Sequence, residues 1–168
     1  MSNNRIVEMR HLNELKGLQT LILSHNRIAE TMSLSLPILT SLNLDRNKIK
    51  QVTGLRGLKK LQELSLEGNQ IENASMQDIG FKLINLLDLN LSNNCITVVS
   101  KLIGYPKVQS ITLDKNPITA IEQSAFRDCP DLEKISINEI KLPNYTGDLK
   151  FLNHCANLLV SDFHTCKL

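Results

Sequence analysis

Apolar residues follow a fixed frame along most of this chain, L-x-x-L-x-L-x-x-N-x-I, which recurs in seven successive segments. The first copy begins at Leu18 and the last at Leu158, and the last two copies lack the asparagine. Alternation around the central L-x-L predicts one short β-strand in each copy. The asparagines of the other copies lie 21–25 residues apart. They are Asn26, Asn47, Asn69, Asn94 and Asn116.

A second apolar pattern connects the predicted strands. From Ile6 to Leu18, and again from Ile49 to Leu61, every third residue is apolar. A step of three matches the 3₁₀ helix, in which residues i and i+3 eclipse. We therefore predict one strand and one tight helical return per repeat, with longer helical turns at residues 75–83 and 122–128.

The frame resembles that of leucine-rich repeat proteins, which stack such units into a solenoid. The resemblance implies an α/β fold, with a parallel β-sheet on the concave face and 3₁₀ or short α-helical returns on the convex face. We expect one domain over residues 1–168, with about seven repeats after a partial one. Each frame asparagine should pair backbone groups where its strand ends. Ile140 and Cys166 replace it in the last copies, so this ladder should weaken there.

The spacing and the step of three resemble the 22-residue class typified by the nuclear regulatory subunit of type-1 protein phosphatase. The match is best over residues 47–69 and extends over 4–75 and 94–116. Members of that class are intracellular scaffolds for phosphatase catalytic subunits, spliceosomal proteins, dynein chains or tubulin. Residues 124–132 resemble instead the A-F-x-x-C-x-x-L repeats of protist and bacterial surface proteins. A fragment of a surface repeat protein is therefore a distant alternative.

Strand alternation also predicts which side chains are free to bind a partner. The third, fifth and seventh frame positions should face the concave side, and adjacent strands lie about 4.8 Å apart. We predict an acidic patch there that binds a protein, one with basic residues, and the alternative is a merely solvated polar face. The predicted binding residues are Asp45, Glu63, Glu67, Asp88, Asp114, Asn43 and Asn90.

A basic loop edge is the secondary candidate site. It follows the first two strands and would contact phosphate or an acidic protein, although such charge is often only solvated surface. It supports the alternative of a ribonucleoprotein or cytoskeletal subunit that docks by its edge or ends. The ends should be uncapped, exposing Ile6, Met9, Leu12, Phe163 and Leu168, so that the chain self-associates or is part of a longer repeat protein. The edge residues are His25, Arg27, Arg46 and Lys48.

Composition narrows the function classes. Nineteen Lys and Arg against 17 Asp and Glu give a net charge of only +2, and aromatic residues are 4% without Trp. Direct nucleic-acid binding by base stacking is therefore not expected. No signal peptide, spanning segment or cysteine-rich cap is recognisable, which predicts a cytoplasmic or nuclear protein. Without a pocket-forming insertion or metal-ligand spacing around His154, Cys155, His164 and Cys166, we predict no catalysis, cofactor or metal.

Overall fold

A computed structural model of the chain describes residues 4–73, 83–139 and 149–162. Within these ranges the chain winds as a solenoid of short strands, and each turn of it is called a rung below. Three-residue 3₁₀ turns lie at Leu12–Glu14, Leu55–Gly57 and Lys150–Leu152. The strands are β1 (Thr20–Ile22), β2 (Ser41–Asn43), β3 (Glu63–Ser65), β4 (Asp88–Asn90), β5 (Val98–Val99), β6 (Ser110–Thr112), β7 (Ala120–Ile121), β8 (Lys134–Ser136) and β9 (Val160–Asp162).

Seven of these strands form one parallel sheet in the order β1-β2-β3-β4-β6-β8-β9. Its register follows the sequence frame, because residues at the same frame position are neighbours: Leu21 pairs with Leu42, which pairs with Leu64. Strands β5 and β7 pair separately, Val98 with Ala120. The predicted parallel sheet, with one strand for each copy of the frame, is confirmed.

The apolar frame positions form the core. In β1–β4, β6 and β8 the central residue is buried between exposed or half-buried neighbours, as in β1, where Leu21 lies between the exposed Thr20 and Ile22. In β9 the central residue is Ser161, which is exposed. Leucine, isoleucine and valine side chains from successive rungs pack into one continuous cluster along the solenoid. Each rung thus buries its apolar side chains only by stacking on its neighbours, as in other repeat solenoids.

The returns between strands differ from the prediction in two of the fully described repeats, because residues 28–39 and residues 96–108 form no 3₁₀ helix. The two segments with the step of three contain the 3₁₀ turns Leu12–Glu14 and Leu55–Gly57, each preceded by a left-handed residue, His11 or Gly54. Residues 28–39 between them contain a single i to i+3 turn, in which the Leu39 N–H donates to the Leu36 carbonyl at 3.2 Å, and Glu30 bridges to Gln51. This repeat is one residue shorter than its neighbours. The prediction of a helical return in every repeat is therefore wrong here.

The longer helical turn predicted at residues 122–128 is also wrong, because the structure has separate turns there and not a continuous helix. The segment forms successive i to i+3 turns, in which the Ala125 N–H donates to the Glu122 carbonyl at 2.9 Å and the Arg127 N–H to the Ser124 carbonyl at 3.1 Å. Nowhere in the described ranges does a return form an α-helix. The other predicted turn lies almost wholly outside the described residues.

The N-terminal end is better covered than the sequence suggested. Met9 and Leu12 are only 2% and 7% exposed and belong to the core, so the prediction of their exposure is wrong, whereas Ile6 is half-buried. The partial repeat stacks on the next rung, since the Ile6 N–H donates to Asn26 Oδ1 at 3.0 Å and the Ser35 N–H to Asn13 Oδ1 at 2.7 Å. Val7 and Leu15 are exposed instead. Phe163 and Leu168 lie outside the described residues. In the part of the chain that the structure describes, no helix has the length and apolarity to cross a membrane.

Candidate functional site

The frame asparagines hold the end of each concave strand in place. Asn47 is representative: its Oδ1 accepts from the Ile28 N–H at 3.0 Å, and its Nδ2 donates to the carbonyls of Leu23 (3.0 Å) and Leu44 (2.9 Å). Each amide thus bridges two rungs and pairs backbone groups that the strand leaves behind. All five frame asparagines are buried, which confirms the predicted ladder. Ile140 and Cys166 lie outside the described residues.

The residue before each frame asparagine has a left-handed backbone, a feature that we did not predict. This conformation turns the chain sharply out of the strand and costs a residue with a Cβ roughly 1–2 kcal/mol. Glycine and asparagine tolerate a left-handed backbone, so Gly68 and Asn93 were the signal in the sequence from which this conformation could have been predicted. The column, with φ between 52° and 68°, is His25, Arg46, Gly68, Asn93, Lys115 and, at the corresponding position, Glu139.

The centre of the concave face is a shallow depression of about 290 Å³. Glu63 on β3 is the register partner of Asp88 on β4, so two exposed carboxylates lie side by side on its floor. Neither side chain forms a hydrogen bond or ion pair within the described ranges. Polar residues of the neighbouring strand positions complete the lining. They are Ser41, Asn43, Ser65 and Asn90.

The remaining predicted acids behave differently from this pair. The Oδ1 atom of Asp45 accepts from the Ser65 hydroxyl at 2.6 Å and from the Glu67 N–H at 2.9 Å. Asp114 repeats the arrangement three rungs further along, with Ser136 (2.8 Å) and the Asn138 N–H (2.7 Å). Both carboxylates therefore act as braces between rungs. The sequence signal was an aspartate at the seventh frame position with a serine at the fifth position of the next repeat.

Three further concave residues differ in their freedom to bind. Asn43 donates from Nδ2 to Oδ2 of Asp45 at 2.7 Å, and Oδ1 of Asn90 accepts from the Ser92 N–H at 3.0 Å. Glu67 is half-buried, and its carboxylate has no described partner. The acids with free carboxylates are thus Glu63, Glu67 and Asp88. They lie between Asp45 and Asp114, the two aspartates that are bonded to the next rung.

Replacing a brace should cost stability, whereas replacing a free acid should not. We expect Asp45→Ala to lower the free energy of unfolding by about 1–3 kcal/mol, because the Glu67 N–H and Ser65 hydroxyl lose a charged acceptor. Glu63→Ala is the matched control on the same face and should change it by at most about 0.5 kcal/mol. Urea unfolding followed by circular dichroism measures both. Equal losses for the two variants would show that Asp45 is not a brace.

Two residues at the flanks of the concave face were not predicted as site residues. Ile22 in β1 is 48% exposed, an apolar side chain on the otherwise polar face. Lys134 in β8 is exposed and lies two strands beyond Asp88 in the sheet. From β1 to β8 the face therefore presents an apolar, then an acidic, then a basic side chain.

The predicted basic edge forms where β1 and β2 leave the sheet. The His25 and Arg46 N–H groups donate to the carbonyls of Asp45 (2.9 Å) and Glu67 (2.7 Å), which fixes their backbone. Their side chains and those of Arg27 and Lys48 are exposed. Lys48 also lines a separate groove of about 470 Å³ with Ala29, Glu30, Lys50, Gln51 and Thr53. The edge is thus distinct from the acidic depression.

Metal-ligating residues form no cluster in the described ranges: no three His, Cys, Asp or Glu side chains are placed to hold an ion. His154 is exposed and Cys155 is buried, so these sequence neighbours point into different environments. His164 and Cys166, the other members of the group considered from the sequence, lie outside the described residues.

Comparison with known sequences supports the leucine-rich repeat assignment. Residues 27–71 match the family described as Leucine rich repeat. Seventy-one residues of the chain are 34% identical to part of a probable inactive serine/threonine-protein kinase of Dictyostelium discoideum. That stretch is 42% of this chain but only 4% of the relative. The narrower 22-residue class is not distinguished by these matches.

Solved structures share the solenoid. A chain of the TLR13–ssRNA13 complex superposes with a TM-score of 0.82 at 23% identity, over 98% of this chain and 24% of that one. Internalin C2 of Listeria monocytogenes gives 0.61 at 25% identity, over 96% and 78%. A chain of the octameric complex of Latrophilin 3, Unc5D and FLRT2 gives 0.74 at 28% identity, over 94% and 50%. The fold is that of the leucine-rich repeat proteins.

Proposed function

We propose that this chain is a non-enzymatic interaction module that binds a basic segment of a protein partner on its concave face. The observation that carries the proposal is the in-register pair Glu63 and Asp88, whose carboxylates are exposed and without a described partner. Like charges on directly adjacent strand positions destabilise a sheet. A cationic side chain bound between the two carboxylates would relieve that repulsion. Binding of a basic partner would therefore also stabilise the sheet.

The lining of the depression suits an arginine or lysine. An arginine guanidinium can bind two carboxylate oxygens at once, while a lysine ammonium offers three donors. Asn43 and Asn90 place amide groups on either side, and their orientation is already fixed by hydrogen bonds to Asp45 and Ser92. Because little side-chain ordering remains to be done, the entropic cost of binding is reduced.

The fold comparisons support a protein partner in general. Two of the similar chains were solved in complexes, one with single-stranded RNA and one with latrophilin and Unc5D proteins. Repeat solenoids commonly use their concave surface for such binding. We still expect no direct binding of nucleic acid. The cytoplasmic or nuclear localisation also stays a prediction.

The test compares synthetic peptides of equal length that are basic, neutral or acidic. Fluorescence anisotropy should show that the purified chain prefers the basic peptide. The double variant Glu63→Lys with Asp88→Lys should weaken that binding by at least about tenfold, or 1.4 kcal/mol. The variant should remain folded, because surface substitutions usually change stability by about 0.5 kcal/mol.

Two control variants separate the concave face from its alternatives. Glu122→Lys with Asp131→Lys makes the same charge change outside the concave strands and should leave most of the binding intact. Arg27→Glu with Lys48→Glu reverses the basic edge and should not weaken binding of the basic peptide. Preference for the acidic peptide, lost in this edge variant, would favour the assembly subunit that docks by its edge.

A finer form of the proposal is phosphatase regulation. It is supported by the similarity to the 22-residue class and by 3₁₀ turns in two of the repeats with its spacing. A type-1 phosphatase catalytic subunit is the first natural partner to assay, by co-elution with the wild-type chain and with the Glu63→Lys, Asp88→Lys variant. Co-elution of only the wild-type chain would support this form, whereas a surface repeat protein should bind no such subunit.

A further inference from the structure

Two buried cysteines occupy the same position on neighbouring rungs. Cys129 closes a turn with its N–H on the Phe126 carbonyl at 3.1 Å, and Cys155 closes the equivalent turn on Leu152 at 2.9 Å. Both are free thiols, with Cys129 fully buried and Cys155 nearly so. The repeated F/L-x-x-C-x-x-L spacing therefore places a cysteine at the end of an i to i+3 turn at the same repeat position on both rungs.

A hydrogen bond joins these turns directly. Asn157, two residues after Cys155, donates from Nδ2 to the carbonyl of Pro130, the residue after Cys129, at 3.2 Å. The strands that follow are in register, with Lys134 beside Val160. Neighbouring parallel strands lie about 4.8 Å apart, within the Cα separation of about 4.4–6.8 Å that a disulfide spans.

We propose that Cys129 and Cys155 are a site of oxidative modification at which a disulfide closes between the two rungs. With oxidised glutathione as oxidant, the Cys155 thiolate attacks one glutathione sulfur and releases one reduced glutathione. The Cys129 thiolate then attacks Cys155 Sγ of the mixed disulfide and releases the second. Two thiols lose two protons and two electrons, and one glutathione disulfide is reduced to two glutathiones.

The environment sets the order and the speed of these steps. Burial, and secondarily Cys155 and Asp128, raise the pKa of Cys129 to about 12, while burial also raises the pKa of Cys155. Because the thiolate is the reacting form, both cysteines react slowly at neutral pH. Cys155 retains some exposure and Cys129 has none, so the Cys155 thiolate should react with glutathione disulfide first.

The bridge would staple the rungs that carry β8 and β9. By constraining the unfolded chain, a disulfide closing a loop of this length should raise the Tm by about 5–10 °C. The structural alternative is that the two thiols only fill space in the core, in which case oxidant would form no bridge between Cys129 and Cys155 and would leave the Tm unchanged.

The experiment incubates the full chain with oxidised glutathione, removes the excess and maps disulfides by mass spectrometry. We expect a Cys129–Cys155 peptide and the higher Tm, both reversed by dithiothreitol. Cys95→Ser, which removes an exposed thiol, should leave both results unchanged, whereas Cys129→Ala should leave a glutathione adduct on Cys155. A bridge from Cys155 to Cys166, or no bridge between Cys129 and Cys155 in the wild-type chain, would overturn the proposal.

Discussion

Asn69→Leu should lower the free energy of unfolding by about 2–4 kcal/mol. The Asn69 Oδ1 is the acceptor for the Ile49 N–H at 3.0 Å, and its Nδ2 donates to the carbonyls of Leu44 and Leu66. A leucine leaves the Ile49 N–H buried without a partner. The two carbonyls keep one donor each, from Asn47 and Asn94, so the loss falls mainly on that N–H.

Urea unfolding measures the stability of Asn69→Leu, and Gln70→Leu is the matched control variant. Gln70 is exposed and bonds to the preceding rung only through its backbone N–H, which the substitution keeps. The control should therefore change the unfolding free energy by at most about 0.5 kcal/mol. If both variants unfolded at the same urea concentration as the parent, the ladder would not stabilise the solenoid.

Gly54→Ala should be about equally damaging, for a steric reason. Gly54 has a φ of +72°, and a Cβ there would lie 2.5 Å from the Met32 carbonyl carbon and the Ser33 nitrogen. The left-handed backbone costs alanine about 1–2 kcal/mol. The clash is with backbone of the preceding rung and adds about 1–3 kcal/mol. We expect a total loss of about 2–4 kcal/mol.

Gly17→Ala is the matched control, because a Cβ at Gly17 meets nothing within 4 Å. A thermal melt should show little change for this variant and a large decrease in Tm for Gly54→Ala. His11, at the same position in the partial repeat, adopts a similar backbone with a φ of 61°. An equal Tm for the two glycine variants would mean that the backbone of Met32 and Ser33 does not pack directly against Gly54.

The apolar frame was sufficient to predict the sheet, its register and the asparagine ladder, because each depends on periodic residues. Departures from periodicity were harder to predict. The step of three gave the turns at Leu12–Glu14 and Leu55–Gly57 but did not show that the shorter repeat between them lacks one. Exposure of Met9 was wrongly predicted because the frame does not show that the partial repeat stacks on the next rung and contributes to the same core.

The sequence predicted which residues lie on the concave face, but it did not predict the hydrogen bonds that their side chains make. Strand alternation placed Asp45, Glu63 and Asp88 on one face, and they are there. It could not show that Asp45 is bonded to the next rung while the other two are free, since that depends on Ser65 and on a backbone N–H. The binding contribution of these residues stays a prediction.

The most direct test of concave-face binding is an NMR titration of the isotopically labelled chain with the basic peptide. We predict that the amide shifts that change most belong to residues 41–43, 63–65 and 88–90, the strands that line the depression. Amides at the basic edge, residues 25–27 and 46–48, should change little. Shifts confined to that edge or to the convex returns would contradict the account.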